Sequence, residues 1–444
     1  MRVLLLGLTT ASITIAAPSF TKDVAPIFYK SCVSCHRPGE IAPMSLLEYK
    51  TVRPWAKSIR DAVVRRQMPP WFADPRYGHF SNDPRLSERE IETVKAWVDG
   101  GAAEGNPADL PAPPAFADGW RYGKPDLVID IGQDFPVPAG RDLYADFVVP
   151  TNLTEGKWIR AAQVLPGNRK LVHHAHVYAM AGEGRSVAGT TTANAPKLGD
   201  FLEVENGLSR VRNDAPVIND ACAGDGGLPN LAGFEEGSLA TMLPGKPPDL
   251  YDVFGDGSTA KYLPAGARLR FQIHYAKVDQ ADTDRTRVGL YLAAKPPVNP
   301  LKRVDLRNRF FLIPAGASQH EVKRCYDVEQ DKWLVAITPH MHYRGKDATY
   351  ELVHAGGRRE ILLAVPQYNF DWQLQYRFQD PVLMEKGSRM VVTFHYDNSP
   401  NNRANPDPAK AVRWGDRSED EMMVTWTETL DVPPSPSSGG GAKD

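Results

Sequence analysis

The sequence predicts a multidomain protein in which a small all-α domain is followed by two all-β domains, each an antiparallel β-sandwich or jelly roll. Apolar residues recur at helical spacing up to about residue 105, and a proline-rich stretch follows. Beyond it, short segments of alternating apolar and polar residues are separated by turns rich in Gly, Pro and Asn. A chain of 444 residues is long enough for about three domains of ~150 residues each.

Composition excludes some classes of partner. The apolar content of 42% and the charged content of 24% are ordinary for a globular protein. The net charge of −2 favours neither nucleic acid nor an anionic membrane as a partner. After the N-terminal segment no stretch is apolar and long enough to be transmembrane, so we expect no transmembrane segment once a signal peptide is removed.

Residues 1–17 are predicted to be a signal peptide. Arg2 supplies a positive charge, residues 3–15 are mostly apolar, and Ala16 and Ala17 offer a cleavage point. A retained N-terminal anchor is the alternative. The protein is therefore predicted to be periplasmic or secreted, where a disulfide persists. Cys222 and Cys325 are available for one, but the sequence does not decide whether they pair.

Residues 18–105 carry the helical signals. The first predicted helix covers Asp23–Lys30, and the second is indicated by the apolar side chains of residues 55–63. Ser87 and Glu90 form a capping box at the start of the third, which ends at Gly100. Three helices around a covalent haem would suit a small cytochrome c domain.

The motif Cys32-Val33-Ser34-Cys35-His36 predicts haem c. Its two thiols would bind the haem vinyl groups and His36 would ligate the iron, whereas a zinc site or a redox Cys-x-x-Cys is the alternative reading. For the second axial ligand we favour Met68 over Met44, because a proline-bent loop after Met68 presents a sulfur rigidly. Met44 follows the motif closely, so little chain is available to cross the haem.

The β region begins after a predicted linker at residues 106–125. Arg268–Lys277 is the clearest strand, with alternate apolar residues on its core side and His274 on its solvent side. Prolines near residue 300 divide the region into domains at 126–300 and 301–432. Residues 433–444 are predicted to be a disordered tail.

Two groups of histidines have the spacing of metal ligands. His340 and His342 project from one face of an extended strand, as chelating residues do. His173 and His174 are adjacent, so both can bind one metal only at a twist or bulge. His174 with His176 is the alternative pair, and spacing does not decide between them.

Ligand type predicts the metal. Histidine sites suit copper or zinc, and a thioether beside two imidazoles prefers Cu(I). No cysteine lies near these histidines, which excludes a blue-copper site, and few carboxylates flank them.

Four motifs resemble those of the copper type II ascorbate-dependent monooxygenases, the family of the peptidylglycine and dopamine β-hydroxylating enzymes. The resemblance covers most of residues 126–431, in matching order and with rough agreement in spacing. The motifs are His173-His174, Phe271-Gln272-Ile273-His274-Tyr275, His340-Met341-His342 with Arg344-Gly345-Lys346 after it, and Asp420-Glu421-Met422.

The resemblance implies two copper ions. One would be held by His173, His174 and His274, and the other by the catalytic set His340, His342 and Met422. It also implies two antiparallel jelly-roll domains, one per copper. In that family oxygen is activated at the thioether copper, a C–H bond is hydroxylated, and the three-histidine copper supplies the second electron.

We therefore expect an oxidoreductase that acts on paired donors and incorporates one atom of O2 into a small-molecule or peptide-like organic substrate. Electrons would come through haem c from a periplasmic donor, or from an ascorbate-like reductant. Thr338 and Trp426 stand where the peptide-amidating enzymes have an arginine and a tyrosine, so a glycine-extended peptide is not the expected substrate. The rival interpretation is a non-catalytic haem/copper electron-transfer or metal-binding protein.

Overall fold

The computed structural model describes residues 17–432, except 39, 41, 116–118, 142, 181–200, 206–207, 224–236 and 244–245. The predicted signal peptide, apart from Ala17, and the predicted tail lie outside these residues. The chain divides into two compact units. One comprises Met1–Pro70 with Pro84–Ala115, and the other comprises Trp71–Asp83 with Phe116–Asp444.

The first unit contains short helices. They are α1 Ala25–Ser31, α2 Tyr49–Val52, α3 Ala56–Val64 and α4 Glu88–Asp99, with a π-helical turn at Phe20–Val24 and 3-10 turns at Arg53–Trp55 and Pro107–Asp109. The predicted capping box is present, since the Ser87 hydroxyl accepts from the Glu90 N–H and the Glu90 carboxylate accepts from the Ser87 N–H. Phe20, Phe28 and Trp97 form the centre of the unit's core.

Thirteen of the described strands of the second unit form what we call its first half. These are β1 Leu127–Asp130, β2 Phe135–Val137, β3 Leu143–Pro150, β4 Lys157–Leu165, β5 Val172–Met180, β6 Leu202–Glu205, β7 Leu208–Val211, β8 Gly237–Met242, β9 Asp249–Leu250, β10 Lys261–Leu263, β11 Arg268–Tyr275, β12 Asp282–Asp284 and β13 Arg287–Leu292. The sheet β3-β11-β5-β8 faces the sheet β1-β13-β4-β10, to which β9 adds, and both supply side chains to one core.

The remaining strands form the second half. These are β14 Lys302–Asn308, β15 Leu312–Ile313, β16 His320–Asp327, β17 Lys332–His340, β18 Gly345–Val353, β19 Arg359–Val365, β20 Tyr376–Met384, β21 Arg389–Tyr396, β22 Val412–Arg413 and β23 Met423–Asp431. The sheet β14-β23-β17-β20 and the sheet β16-β21-β18-β19 share a second core. Small two-stranded sheets, β2 with β12, β6 with β7 and β15 with β22, complete the unit.

The predicted fold class is wrong. Of the described residues 38% lie in strands and 12% in helices, and no helical cytochrome domain is evident at the N-terminus. The longest described helix has 12 residues. Helical spacing of apolar residues marks single turns as readily as long helices, which explains the error. The β region falls within one compact unit, and Val335 and Leu430 of its second half pack in the core of its first half.

Two further features bear on cellular location. Among the described residues no helix has both the length and the apolar character needed to span a membrane. Cys222 and Cys325 form a disulfide that closes a separation of 103 residues, which answers the question that the sequence left open. This bond joins β16 to the segment that follows β7.

Candidate metal centre

The first histidine set lies on two paired strands of the first half. His174 on β5 is directly opposite His274 on β11. The register shifts immediately beyond this pair, where Tyr275 pairs with Val172, so His173 is the extra residue of a β-bulge. The bulge turns two adjacent histidines toward the same place, as the sequence required for a shared metal.

These three imidazoles form a compact cluster. Ligand nitrogens of His173, His174 and His274 all lie within 4.8 Å of one another. The ring centroids of His174 and His274 are 4.8 Å apart, and Tyr144 stacks on the His274 ring at 4.2 Å. His274 is buried, which corrects the expectation that it faces solvent. On the same side of β11, Arg270 and Gln272 line a cavity together with residues of the second half.

The geometry of the first set fits a metal ion. Two nitrogens bound to one ion at about 2 Å are at most about 4 Å apart, so the cluster needs only a small contraction. Within the described part of the chain, the buried Nδ1 atom of His174 has no hydrogen-bond partner. A buried nitrogen without a partner is costly unless something binds it.

The second histidine set lies at the end of β17 in the second half. His340 is the last residue of β17, and the rings of His340 and His342 are 5.2 Å apart. His340 Nδ1 is 2.7 Å from Gln373 Oε1, and His342 Nδ1 is 3.3 Å from the Asp420 carbonyl oxygen. Each Nδ1–H donates to its oxygen partner, which leaves Nε2 of both rings available to a metal.

Met422 lines the same cavity as His340 and His342. It directly precedes β23, whose Val424 pairs with His340. The Tyr396 hydroxyl donates to the Met422 carbonyl at 2.8 Å. The three residues that the resemblance assigned to one copper therefore line one cavity, although 80 positions separate the last histidine from the methionine.

Glu421 joins the two segments that carry this set. Its carboxylate accepts from the backbone N–H groups of His342 at 2.8 Å, Arg344 at 2.6 Å and Met422 at 3.2 Å. The side chain is fully buried, and burial raises the pKa of Glu421 to about 7 even though these donors and Arg344 oppose the shift. One carboxylate thus fixes the turn after β17 against the start of β23.

Burial keeps the site imidazoles neutral. It lowers the pKa of His340 to about 4, and the hydrogen bond that His340 donates to Gln373 only partly opposes this. The pKa values of His174 and His342 lie well below the usual value, first because of burial and then because of neighbouring imidazoles. Neutral imidazoles are the form that binds metal ions.

A cavity of about 230 Å³ is lined by one histidine of the first set and by all three residues of the second. His174 and His176 line it from the first half, and His340, His342 and Met422 line it from the second. Phe370 lies between the sets, with ring centroids 6.0 Å from His173 and 5.8 Å from His342. The Tyr144 hydroxyl also reaches across to Ser418 at 2.8 Å.

His176, weighed as an alternative ligand, occupies a different position. It shares a face of β5 with His174, but it is not among the three nitrogens of the first cluster. Its ring lies 5.5 Å from Trp426, which itself stacks on His340 at 5.0 Å. Thr338 is buried and is not a lining residue of the cavity.

Other histidines lie elsewhere. His395 on β21 is 2.6 Å from an Asp347 oxygen, which agrees with its interpretation as a strand residue. His79 is exposed, whereas His320 and His354 are half-buried.

In the haem motif, Cys32 and Cys35 follow α1 and are not in a disulfide. His36 Nδ1 lies 3.3 Å from the Met44 carbonyl oxygen, so an Nδ1–H bond there leaves Nε2 for an iron. This arrangement fits a histidine ligand. Met44 packs on the unit's core, while Met68, the favoured second ligand, is half-buried and is not among the described residues of that core.

Sequence reasoning missed three contributors to the site. Gln373 and Phe370 lie in the segment between β19 and β20, and no pattern singled them out. Glu421 was part of the motif that contains Met422 but received no role of its own.

Comparisons with known proteins add little. No known protein family matches the chain, and no curated protein does. Among solved structures 33 chains match. One is a structure of PNGF-II, with 10% identity and a TM-score of 0.23 over 68% of this chain and 60% of that chain. The chain therefore spans less than two thirds of the length of PNGF-II, and so low a likeness carries no argument.

Proposed function

We propose that the protein is a copper-dependent monooxygenase that hydroxylates a C–H bond of an organic substrate with O2. His173, His174 and His274 hold one copper, and His340, His342 and Met422 hold the other. Copper supplies the one-electron chemistry through which O2 is activated. The disulfide and the N-terminal signal sequence support a periplasmic or secreted location.

The observation that carries the proposal is the convergence of His340, His342 and Met422 on one cavity, beside a second cluster of three imidazoles. A thioether with two neutral imidazoles is a soft donor set suited to Cu(I). Three imidazoles bind copper as both Cu(I) and Cu(II). Hydroxylation with O2 needs two electrons, and each copper supplies one. Two unlike copper sites next to one cavity would meet this requirement.

The chain's own residues position the reaction. Gln373 and the Asp420 carbonyl hold the two imidazoles with Nε2 toward the metal. Trp426 covers one face of His340 and excludes water from it. Met422 lines the cavity, so a substrate held there would have a C–H bond near the thioether.

We further propose that haem c is attached at Cys32 and Cys35 with His36 as an iron ligand, and that Met68 is the second ligand. Its role is to pass electrons to copper from a periplasmic donor or an ascorbate-like reductant. The support is the motif itself and the orientation of His36, whose Nδ1 is engaged by a backbone carbonyl. Reduction of the haem followed by reduction of copper, observed by stopped-flow absorbance, tests this role.

Metal analysis with oxygen uptake tests the proposal. The purified full chain is expected to contain about two coppers and one haem, to consume O2 under reductant, and to place one ¹⁸O atom in a product. His342→Ala is expected to lower copper to about one per chain and to stop O2 uptake. His354→Ala is the matched control, since His354 contacts Glu360 away from the site. Haem without copper, or copper without O2 uptake, would instead support an electron-transfer protein.

A further inference from the structure

Two polar side chains line the cavity beside the first histidine set. His176 on β5 and Gln272 on β11 are directly opposite each other, two residues along each strand from the pair His174 and His274. Both line the cavity. The Cβ atoms of directly opposite residues in an antiparallel sheet are about 5 Å apart, so the imidazole and the amide lie close enough to contact one small group together.

These two side chains carry polar atoms without a partner. His176 is 6% exposed, and Gln272 is half-buried. Within the part of the chain that the structure describes, neither side chain has a hydrogen bond, and they do not bond to each other. By contrast, the amide oxygen of Gln373 accepts from His340 at 2.7 Å. Buried polar groups nearly always have a hydrogen-bond partner, so this pair is suited to a partner that enters the cavity.

The chemistry of the pair selects the kind of group that it can bind. A neutral imidazole donates from one ring nitrogen and accepts at the other, and an amide donates from its NH2 group and accepts at its oxygen. A hydroxyl group both donates and accepts, so it can accept from one of the two side chains and donate to the other. A carboxylate only accepts, and it gains no ion pair from two neutral side chains. The pair therefore matches a hydroxyl group.

His176 lies between the two histidine sets. Its ring centroid is 5.4 Å from that of His174 and 5.5 Å from that of Trp426, whose ring stacks on His340 at 5.0 Å. Trp426 also begins a row of apolar side chains, because residues 426, 424 and 422 alternate along the chain and all line the cavity. A molecule bound at His176 therefore has the flat face of Trp426 beside it and Met422 farther along the same row.

We infer that His176 and Gln272 bind a hydroxyl group of the substrate, which is a small neutral molecule whose apolar body lies along Trp426 toward Met422. The inference rests on the proposed function for calling this molecule the substrate, but the binding itself needs no copper. The hydroxyl group fixes one end of the molecule and so determines which carbon lies next to the second histidine set. The cavity of about 230 Å³ is below the ~300–1,000 Å³ of ordinary small-molecule sites, which limits the size of the body.

Calorimetry on the full chain, stripped of copper with a chelator, tests the inference. Benzyl alcohol and ethylbenzene have nearly the same shape, but one carries a hydroxyl group where the other carries a methyl group. Benzyl alcohol is expected to bind about tenfold more tightly, because only its hydroxyl group forms hydrogen bonds to the pair. His176→Phe with Gln272→Leu is expected to reduce that ratio to about one. His320→Phe with Gln319→Leu is the matched control, since these neighbours at the start of β16 do not line the cavity.

Single variants keep the test decisive if the double variant does not fold. His176→Phe and Gln272→Leu are each expected to remove part of the preference, whereas His176→Gln keeps a donor and an acceptor and is expected to retain most of it.

The outcomes separate the parts of the inference. Equal binding of the two probes by the unchanged chain, or a preference that survives the double variant in folded protein, overturns it. Benzoate binding more tightly than benzyl alcohol, with the same dependence on His176 and Gln272, overturns the assignment of a neutral group. A copper content that falls in His176→Phe after copper loading would make His176 a metal ligand instead. Since the probes are bound without copper, a failed preference is distinct from a failed monooxygenase, which shows itself as missing copper or missing O2 uptake.

Discussion

The two histidine sets differ in what holds their side chains. In the first, strand pairing places His174 opposite His274, a bulge adds His173, and the imidazoles lie mainly against each other and against Tyr144. In the second, each imidazole has an oxygen partner, and a buried carboxylate fixes the backbone around them. A sheet with a bulge shapes the first set, and hydrogen bonds to Gln373 and to the Asp420 carbonyl orient the rings of the second.

Under the proposed function this difference would correspond to different tasks of the two coppers. An electron-storing copper needs only a rigid donor set that tolerates two oxidation states. A copper at which a substrate reacts needs a coordination position that no protein ligand occupies. Its ligands must therefore be fixed by contacts on the side away from the substrate. Gln373 and Glu421 do this from the side away from the cavity.

Met422→Leu has the largest expected effect on this comparison. Leucine keeps the side-chain volume but removes the sulfur, so copper is expected to be lost from the second set only. The rate of O2 consumption is expected to fall more than about 100-fold, which exceeds the effect of losing a residue that only hydrogen-bonds a ligand. Copper analysis and an oxygen electrode measure both. Met390→Leu, a fully buried change in the same half, is the control. Unchanged O2 uptake in Met422→Leu would remove the thioether from the reaction.

His174→Ala is expected to affect the first set alone. It removes the imidazole opposite His274, so bound copper should fall from about two to about one per chain while the second site keeps its metal. Electron paramagnetic resonance of the Cu(II) protein distinguishes the two sites. His395→Ala, a strand histidine paired with Asp347, serves as the control. Loss of both coppers would mean that the two sets form a single site.

Glu421→Gln is expected to lower the copper affinity of the second set by about 10- to 100-fold and to lower the melting temperature of the protein. An amide has one acceptor oxygen, so its NH2 group would meet a backbone N–H that the carboxylate now accepts from. Copper titration and thermal unfolding measure the two effects. Glu428→Gln on β23, which contacts Arg377, is the matched control. A loss at the first set instead would contradict the assignment of Glu421 to the second.

The local geometry that groups these histidines could be predicted from the sequence. His340 and His342 have the spacing of one strand face, and the adjacent pair at 173 and 174 required a bulge, which the structure contains. Alternation along β11 correctly separated the core residues Leu269, Phe271 and Ile273. Local geometry determines such features, so a short stretch of sequence is sufficient.

The supporting residues were not readable, because their contacts are distant in the chain. Gln373 lies 33 residues from His340, and Glu421 lies 79 residues from His342. Alternation also misassigned His274 to the solvent side, since it does not show that residues of the second half line a cavity on this side of β11. The all-α prediction failed for a related reason: spacing indicates a helical face but not the length of the helix.

Gln373→Leu has the smallest expected effect and is the closest test of the comparison. It removes the acceptor of the His340 Nδ1–H but leaves the ring in place between β17 and Trp426. The copper affinity of the second set should therefore fall about tenfold, the smallest effect expected for losing a residue that hydrogen-bonds a ligand. Gln375→Leu is the control, because that buried glutamine contacts Arg377 rather than a histidine. Cu(I) competition titration measures the change. If both variants bind copper equally well, hydrogen bonds do not orient the second set, and the strand end alone positions His340 as the sheet positions His174.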